Sequence, residues 1–132
     1  MRAEKENTVN KGCNIRDLVG KTLTAAYKVK EKGEGDVIYF ECADGSKYKM
    51  NHEQECCEQV YVEDIVEDLQ DIVGSPILDA REDSNHGTDE ETDYIFTWTF
   101  YNITTNMGHV TIRWYGTSNG YYGVRVRFER FE

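Results

Sequence analysis

The residues best equipped for chemistry lie between positions 52 and 58: His52, Glu53, Gln54, Glu55, Cys56, Cys57 and Glu58. An imidazole and two thiols are three of the four ligands that a tetrahedral zinc site takes, and Cys42 or His109 would have to complete the set. Against zinc, adjacent cysteines in an extended chain point to opposite sides, and no second cysteine pair follows at zinc-ribbon spacing. A nucleophilic Cys56 or Cys57 would need His52 to lower its thiol pKa, whereas Glu53, Glu55, Glu58 and Glu63 favour the protonated thiol. A plainer reading leads: one cysteine packs as a small apolar residue, while His52 and Gln54 satisfy backbone groups of a loop. Ligand contact without bond chemistry comes next. No cofactor is expected, and zinc on His52, Cys56 and Cys57 is kept as the lesser alternative.

These residues fall between two stretches that read as strands, and the chain around them reads as two copies of one unit. "DLVGKTL" at Asp17 to Leu23 is answered by "DIVGSPI" at Asp71 to Ile77, each a short helical turn stopped by a glycine. Strands are expected at Leu23 to Lys30 and Val37 to Cys42, and in the second copy at Ile77 to Arg81 and Tyr94 to Phe100, with Glu82 to Asp93 as an inserted acidic loop.

Ala43-Asp44-Gly45 reads as a hairpin loop with Gly45 in the left-handed position, which sets Glu41 opposite Lys47, Phe40 opposite Tyr48 and Ile38 opposite Met50. Laying Tyr48 on Ile112, an offset of 64, carries Val62 to Val126 without a gap and places Cys56-Cys57 on Gly120-Tyr121. Repeats at about 13–66 and 67–132 follow, within a single domain that carries a flexible arm at 1–12. The expected class is α+β: a mainly antiparallel sheet or partly closed barrel from two helix-plus-four-strand units, with two short helices.

A chain of 132 residues is long enough to bury one real core. Its formal net charge of -10 disfavours non-specific binding to nucleic acid or to an anionic membrane, both polyanions. The polar start lacks the apolar core of a signal peptide, and no apolar run approaches the roughly 20 residues of a membrane span, so a cytoplasmic protein is expected. Reduced thiols are expected in this size of chain.

Trp98, Trp114, Tyr115, Tyr121 and Tyr122 exceed what a small core needs, and tyrosines on a glycine-rich loop are common contact residues; cross-strand packing is the plainer account of the tryptophans. Glu67, Asp68 and Asp71, with the acidic loop, could imitate a phosphate backbone, although a solvated face is commoner. Arg125, Arg127 and Arg130 could hold a phosphate, and more often such arginines pair with carboxylates.

The blocks "HEQECCEQVYVEDIVEDLQDIVGSPIL" and "YIFTWTFYNITTNMGHVTIRWYGTSNGYYGVRVRF" resemble an uncharacterised bacteriophage and prophage family, a domain of unknown function with a His-x-Gln-x-Cys-Cys-Glu block and a TWTFY, RWYGxSNGYY block. The matching positions are His52, Gln54, Cys56, Cys57, Glu58, Trp114, Tyr115, Ser118, Asn119, Gly120, Tyr121 and Tyr122. Gly123 stands where the family tends to carry an acid. The resemblance implies a gene acting inside an infected bacterium, and no activity.

The leading expectation is a small non-enzymatic binding protein that captures a host protein or a small nucleotide-like signalling ligand and counteracts antiviral defence. A thiol-dependent or metal-binding protein and an acidic DNA mimic are the rivals. A homodimer is compatible with all three.

Overall fold

The computed structural model describes residues 13–32, 35–54, 58–119 and 123–131; the arm at 1–12 lies outside the described residues. Asn14 and Asp68 each open a short 3-10 turn by the same device. The Asn14 side chain accepts from the Arg16 amide at 2.8 Å while Asp17 accepts from the Asn14 amide at 3.1 Å. Asp68 accepts from Gln70 at 3.0 Å while Asp71 accepts from Asp68 at 3.2 Å. These reciprocal caps satisfy amides that a turn leaves open. The turns, Ile15–Leu18 and Leu69–Ile72, bury Ile15, Leu18, Leu69 and Ile72, each worth roughly 1.5–3 kcal/mol of apolar transfer.

Both turns end at a glycine in the left-handed region, Gly20 at φ +90° and Gly74 at φ +100°, a conformation that a Cβ would strain. From there the chain locks onto its other half. The Gly20 amide donates to the Ile77 carbonyl at 2.8 Å and the Gly74 amide to the Leu23 carbonyl at 2.9 Å. Each glycine thus holds the start of the strand that follows the other.

Among the described residues eight strands follow: β1 (Leu23–Glu31), β2 (Gly35–Cys42), β3 (Lys47–Asn51), β4 (Gln59–Val66), β5 (Ile77–Thr88), β6 (Ile95–Thr105), β7 (His109–Ser118) and β8 (Arg127–Phe131). They form two antiparallel sheets, β1-β2-β3-β8 and β4-β7-β6-β5. The fourth strand of each half therefore sits in the other half's sheet: β4 pairs with β7, and β8 returns to pair with β3. The class is mainly β. The two expected helices are four-residue 3-10 turns, too short to make an α layer, and the sheets do not close into a barrel.

The β2–β3 hairpin has the expected register, with Glu41 opposite Lys47, Phe40 opposite Tyr48 and Ile38 opposite Met50, and Gly45 at φ +93°. Inward residues of both sheets share one core that includes Phe40, Met50, Tyr101, Ile112, Trp114 and Phe128. The Trp114 indole N–H meets the Met50 sulfur at 3.1 Å across it. The buried Asp36 carboxylate on β2 accepts from the Val62 amide at 2.8 Å, where β4 shifts register against β7.

Two expectations differ. Glu82 to Thr88 is strand rather than inserted loop, paired with β6 as far as Thr88 opposite Ile95. β5 is an edge strand exposed along this half, and an edge open to water needs no apolar alternation, only ladder partners. The 64-residue offset is also two residues out. Ala26 faces Phe40 and Ala80 faces Ile103, which face Tyr48 and Val110 in turn, so Tyr48 occupies the place of Val110 and not of Ile112. A slip of two keeps every side chain on its face, and the hydrophobic pattern is blind to it.

Candidate functional site

Because the fourth strands are exchanged, the chain passes from one sheet to the other between Asn51 and Gln59 and again between Ser118 and Arg127. The two crossings meet at His52. Its ring is buried, with Nδ1 2.7 Å from the Arg125 carbonyl oxygen and Nε2 2.9 Å from Oε2 of Glu58, whose side chain is 0% exposed. A carbonyl only accepts, so Nδ1 carries a proton and donates to it. One more proton lies between Nε2 and Glu58: either an imidazolium faces a carboxylate, or a neutral imidazole accepts from a carboxylic acid. Both ring nitrogens are engaged in either form. Gln54 donates to the Glu58 carbonyl at 2.6 Å, closing the first crossing on itself.

Beside this latch lies a cleft of about 620 Å³, lined by Cys13, Asn14, His52, Glu53, Glu82, Gly123, Arg125, Val126, Arg127, Phe128 and Glu129, a volume in the range of small-molecule sites. Arg127 pairs with Glu53, and with Glu129 at 3.4 Å, so those three charges largely answer one another. Glu82 and Arg125 are exposed and form no ion pair among the described residues. Close behind them is Tyr101, opposite Glu82 in the β5–β6 ladder and 0% exposed, whose hydroxyl has no close, well-aligned hydrogen bond among the described residues. Burial first, then the negative charge of Glu82 and the phenol's hydrogen bond toward it, hold its pKa far above the ordinary phenol value. The phenol stays protonated, a donor facing the Glu82 carboxylate.

The expected site residues are divided among three environments. His52, Gln54 and Glu58 build the latch. Trp114 is 1% exposed, in the core between the sheets. Tyr115 lies on the outer face of the second sheet, its ring 4.6 Å from Trp98 and 5.9 Å from Tyr61, with the Arg113 guanidinium over Trp98 at 5.1 Å. Ser118 is buried at the end of β7 and Asn119 is exposed just beyond it. Cys56, Cys57, Gly120, Tyr121 and Tyr122 lie outside the described residues.

Among the described residues no group of three or more His, Cys, Asp or Glu side chains could hold a metal ion. The completions considered from sequence do not reach His52. Cys42 pairs with Ser46 at the hairpin, six residues of strand or about 20 Å from His52, and burial pushes its thiol pKa up. His109 lies next to the Thr104 and Thr111 hydroxyls. Of the acids considered for mimicry, Asp68 and Asp71 serve as caps. No helix among the described residues is long and apolar enough to cross a membrane.

Sequence reasoning missed Glu82 and Tyr101 as site residues. The sequence pattern reads Glu82 as part of a loop, and only the β5–β6 pairing sets it opposite Tyr101. Arg125 reads as an anion holder, and nothing in the sequence ties it to His52.

A family model described as a domain of unknown function (DUF7448) matches residues 16–128. This span contains both crossings and most of the cleft wall. No curated protein and no solved structure matches the chain.

Proposed function

We propose, from the premise that this chain belongs to the family of the domain of unknown function DUF7448, that it is a non-enzymatic binding protein whose ligand is a small molecule seated in the cleft between the two crossings. The observation that carries this reading is a cleft of about 620 Å³ whose wall carries a carboxylate, Glu82, and a guanidinium, Arg125, that form no ion pair among the described residues. Both side chains are exposed and solvated in the open cleft, and a ligand with complementary charges seated against the same wall replaces that water with ion pairs in a partly enclosed site. Capture rather than catalysis is supported by His52, the imidazole at this cleft, whose two nitrogens are tied to Arg125 and Glu58 and which has none left to shuttle a proton.

Within this proposal the protein acts in the cytoplasm of an infected bacterium as a phage or prophage product, sequestering a host signalling ligand and so blunting antiviral defence. Its motivation is the resemblance of the two sequence blocks, together with an acidic surface that disfavours polyanionic partners. Native mass spectrometry of the full chain after incubation with a metabolite extract of the host tests it: a stoichiometric adduct lost in Arg125→Gln supports capture. A protein that emerges without any adduct, and whose melting temperature no metabolite raises, rules it out.

A further inference from the structure

We infer that the ligand is a zwitterion, an α-amino acid with an apolar side chain, held by its carboxylate on Arg125 and by its ammonium on Glu82. This rests on the reading of the cleft as a capture site and names the ligand class.

The charges of the wall lead to it. Among the described residues of the wall, Arg127 is answered by Glu53 and Glu129, which leaves one cation, Arg125, and one anion, Glu82, to meet a ligand. A phosphate would gain Arg125 and lose against three carboxylates. A simple amine would gain Glu82 and meet Arg125 head on. A molecule that carries both charges pairs with both, and because its net charge is zero the formal -10 of the chain neither attracts nor repels it. Val126 and Phe128 supply an apolar stretch of the same wall, suited to an aliphatic or aromatic side chain. Two features position the polar ends. The His52 ring fixes the Arg125 backbone through its carbonyl. The buried Tyr101 phenol, opposite Glu82 in the β5–β6 ladder, is a donor facing the Glu82 carboxylate, which makes Tyr101 a positioning residue.

Isothermal titration of the full chain with L-leucine and L-phenylalanine, against N-acetyl-leucine and leucinamide, tests the assignment. Expected is binding of at least one amino acid, with the acetylated and amidated forms at least tenfold weaker. Glu82→Gln then removes the discrimination against N-acetyl-leucine, and Arg125→Gln removes that against leucinamide, a crossed pattern that mere loss of structure does not produce. Tyr101→Phe weakens amino-acid binding roughly tenfold, the scale of one hydrogen bond to a charged group, without lowering the melting temperature of the unliganded chain. Equal affinity for leucine and its blocked forms overturns the zwitterion. So does absence of amino-acid binding when adenosine monophosphate or a cyclic nucleotide binds in an Arg125-dependent way, an outcome that leaves capture standing. Silence toward both sets and toward the metabolite extract overturns the assignment and the capture reading together.

Discussion

The His52 imidazole donates to the Arg125 carbonyl at 2.7 Å, joining two segments 73 residues apart that carry the chain between its sheets. The other ring nitrogen rests on Glu58, whose side chain is fully buried. A carboxyl group sealed from water is tolerable there because this ring answers it. His52→Leu is therefore expected to destabilise the protein by about 3–5 kcal/mol, the scale of breaking a buried pair from one side. The double change His52→Leu with Glu58→Leu removes both polar groups and should return most of that loss. Urea unfolding of the two variants measures the difference; equal destabilisation would show that packing, not pairing, holds the latch.

The hairpin tip gives a prediction in pH. Asp44 accepts from Lys21 at 2.7 Å and from the Ser46 amide at 2.9 Å. The Lys21 bond first and Ser46 second hold the Asp44 carboxyl well below the usual carboxylate range, and the same bond raises Lys21. A depressed acid contributes stability that is present above its unfolded pKa of about 3.9 and is lost as pH falls through the folded value. A raised lysine contributes below its unfolded pKa of about 10.4 and loses that contribution as pH rises further. Asp44→Asn keeps an acceptor for Ser46 and removes the charge. Its melting temperature should fall less between pH 5 and pH 2 than that of the parent, by a margin that shrinks in high salt. A parallel fall in both proteins would dissociate Asp44 from the acid response.

The β5–β6 ladder shows where sequence stopped being informative. The hairpin register was legible because Phe40, Tyr48, Ile38 and Met50 alternate with charges on a half-buried surface, and only one pairing sets apolar against apolar. The two turns were legible from Asn14, Gly20 and Gly74, whose roles are local. Glu82 to Thr88 was not, since an exposed edge leaves no periodicity to read. Strand exchange between the halves was not either: β4 and β8 have the same inward faces whichever sheet receives them, and the choice is made by the chain crossing over. The site inherits that blindness. His52 and Glu58 could be picked out by residue type, whereas Arg125 and Glu82 come beside them only through the exchange and the edge strand.

Gly116 shows what seats the second crossing. A Cβ placed there would lie 2.9 Å from Cβ of Val124 and 3.2 Å from Cγ2 of Val60, closer than packed carbons tolerate. Gly116→Ala should cost about 1–3 kcal/mol as overpacking and push Val124, one residue before Arg125, off the sheet. The added methyl group should thus lower both the melting temperature and affinity at the cleft. Restored binding without restored stability in a Gly116→Ala, Val124→Ala pair would separate the seat from the site, and unchanged binding in the single variant would show that the crossing does not position Arg125.

The tryptophans separate core from surface in solution. Trp114 is 1% exposed with its N–H on the Met50 sulfur, and a Trp→Ala change at such a site costs about 3–5 kcal/mol. Trp98 lies half-buried on the outer face, stacked parallel to Phe100 at 6.2 Å and beneath Arg113. Trp98→Phe should accordingly leave a blue-shifted emission that acrylamide barely quenches, while Trp114→Phe leaves a red-shifted emission that it quenches readily. Ligand added to either variant should change the intensity little, because neither indole lines the cleft. A large ligand-dependent change in Trp98 emission would instead move the binding surface to the aromatic outer face of the second sheet, where Tyr115 and Tyr61 would be its neighbours, and Glu82→Gln would then leave affinity untouched.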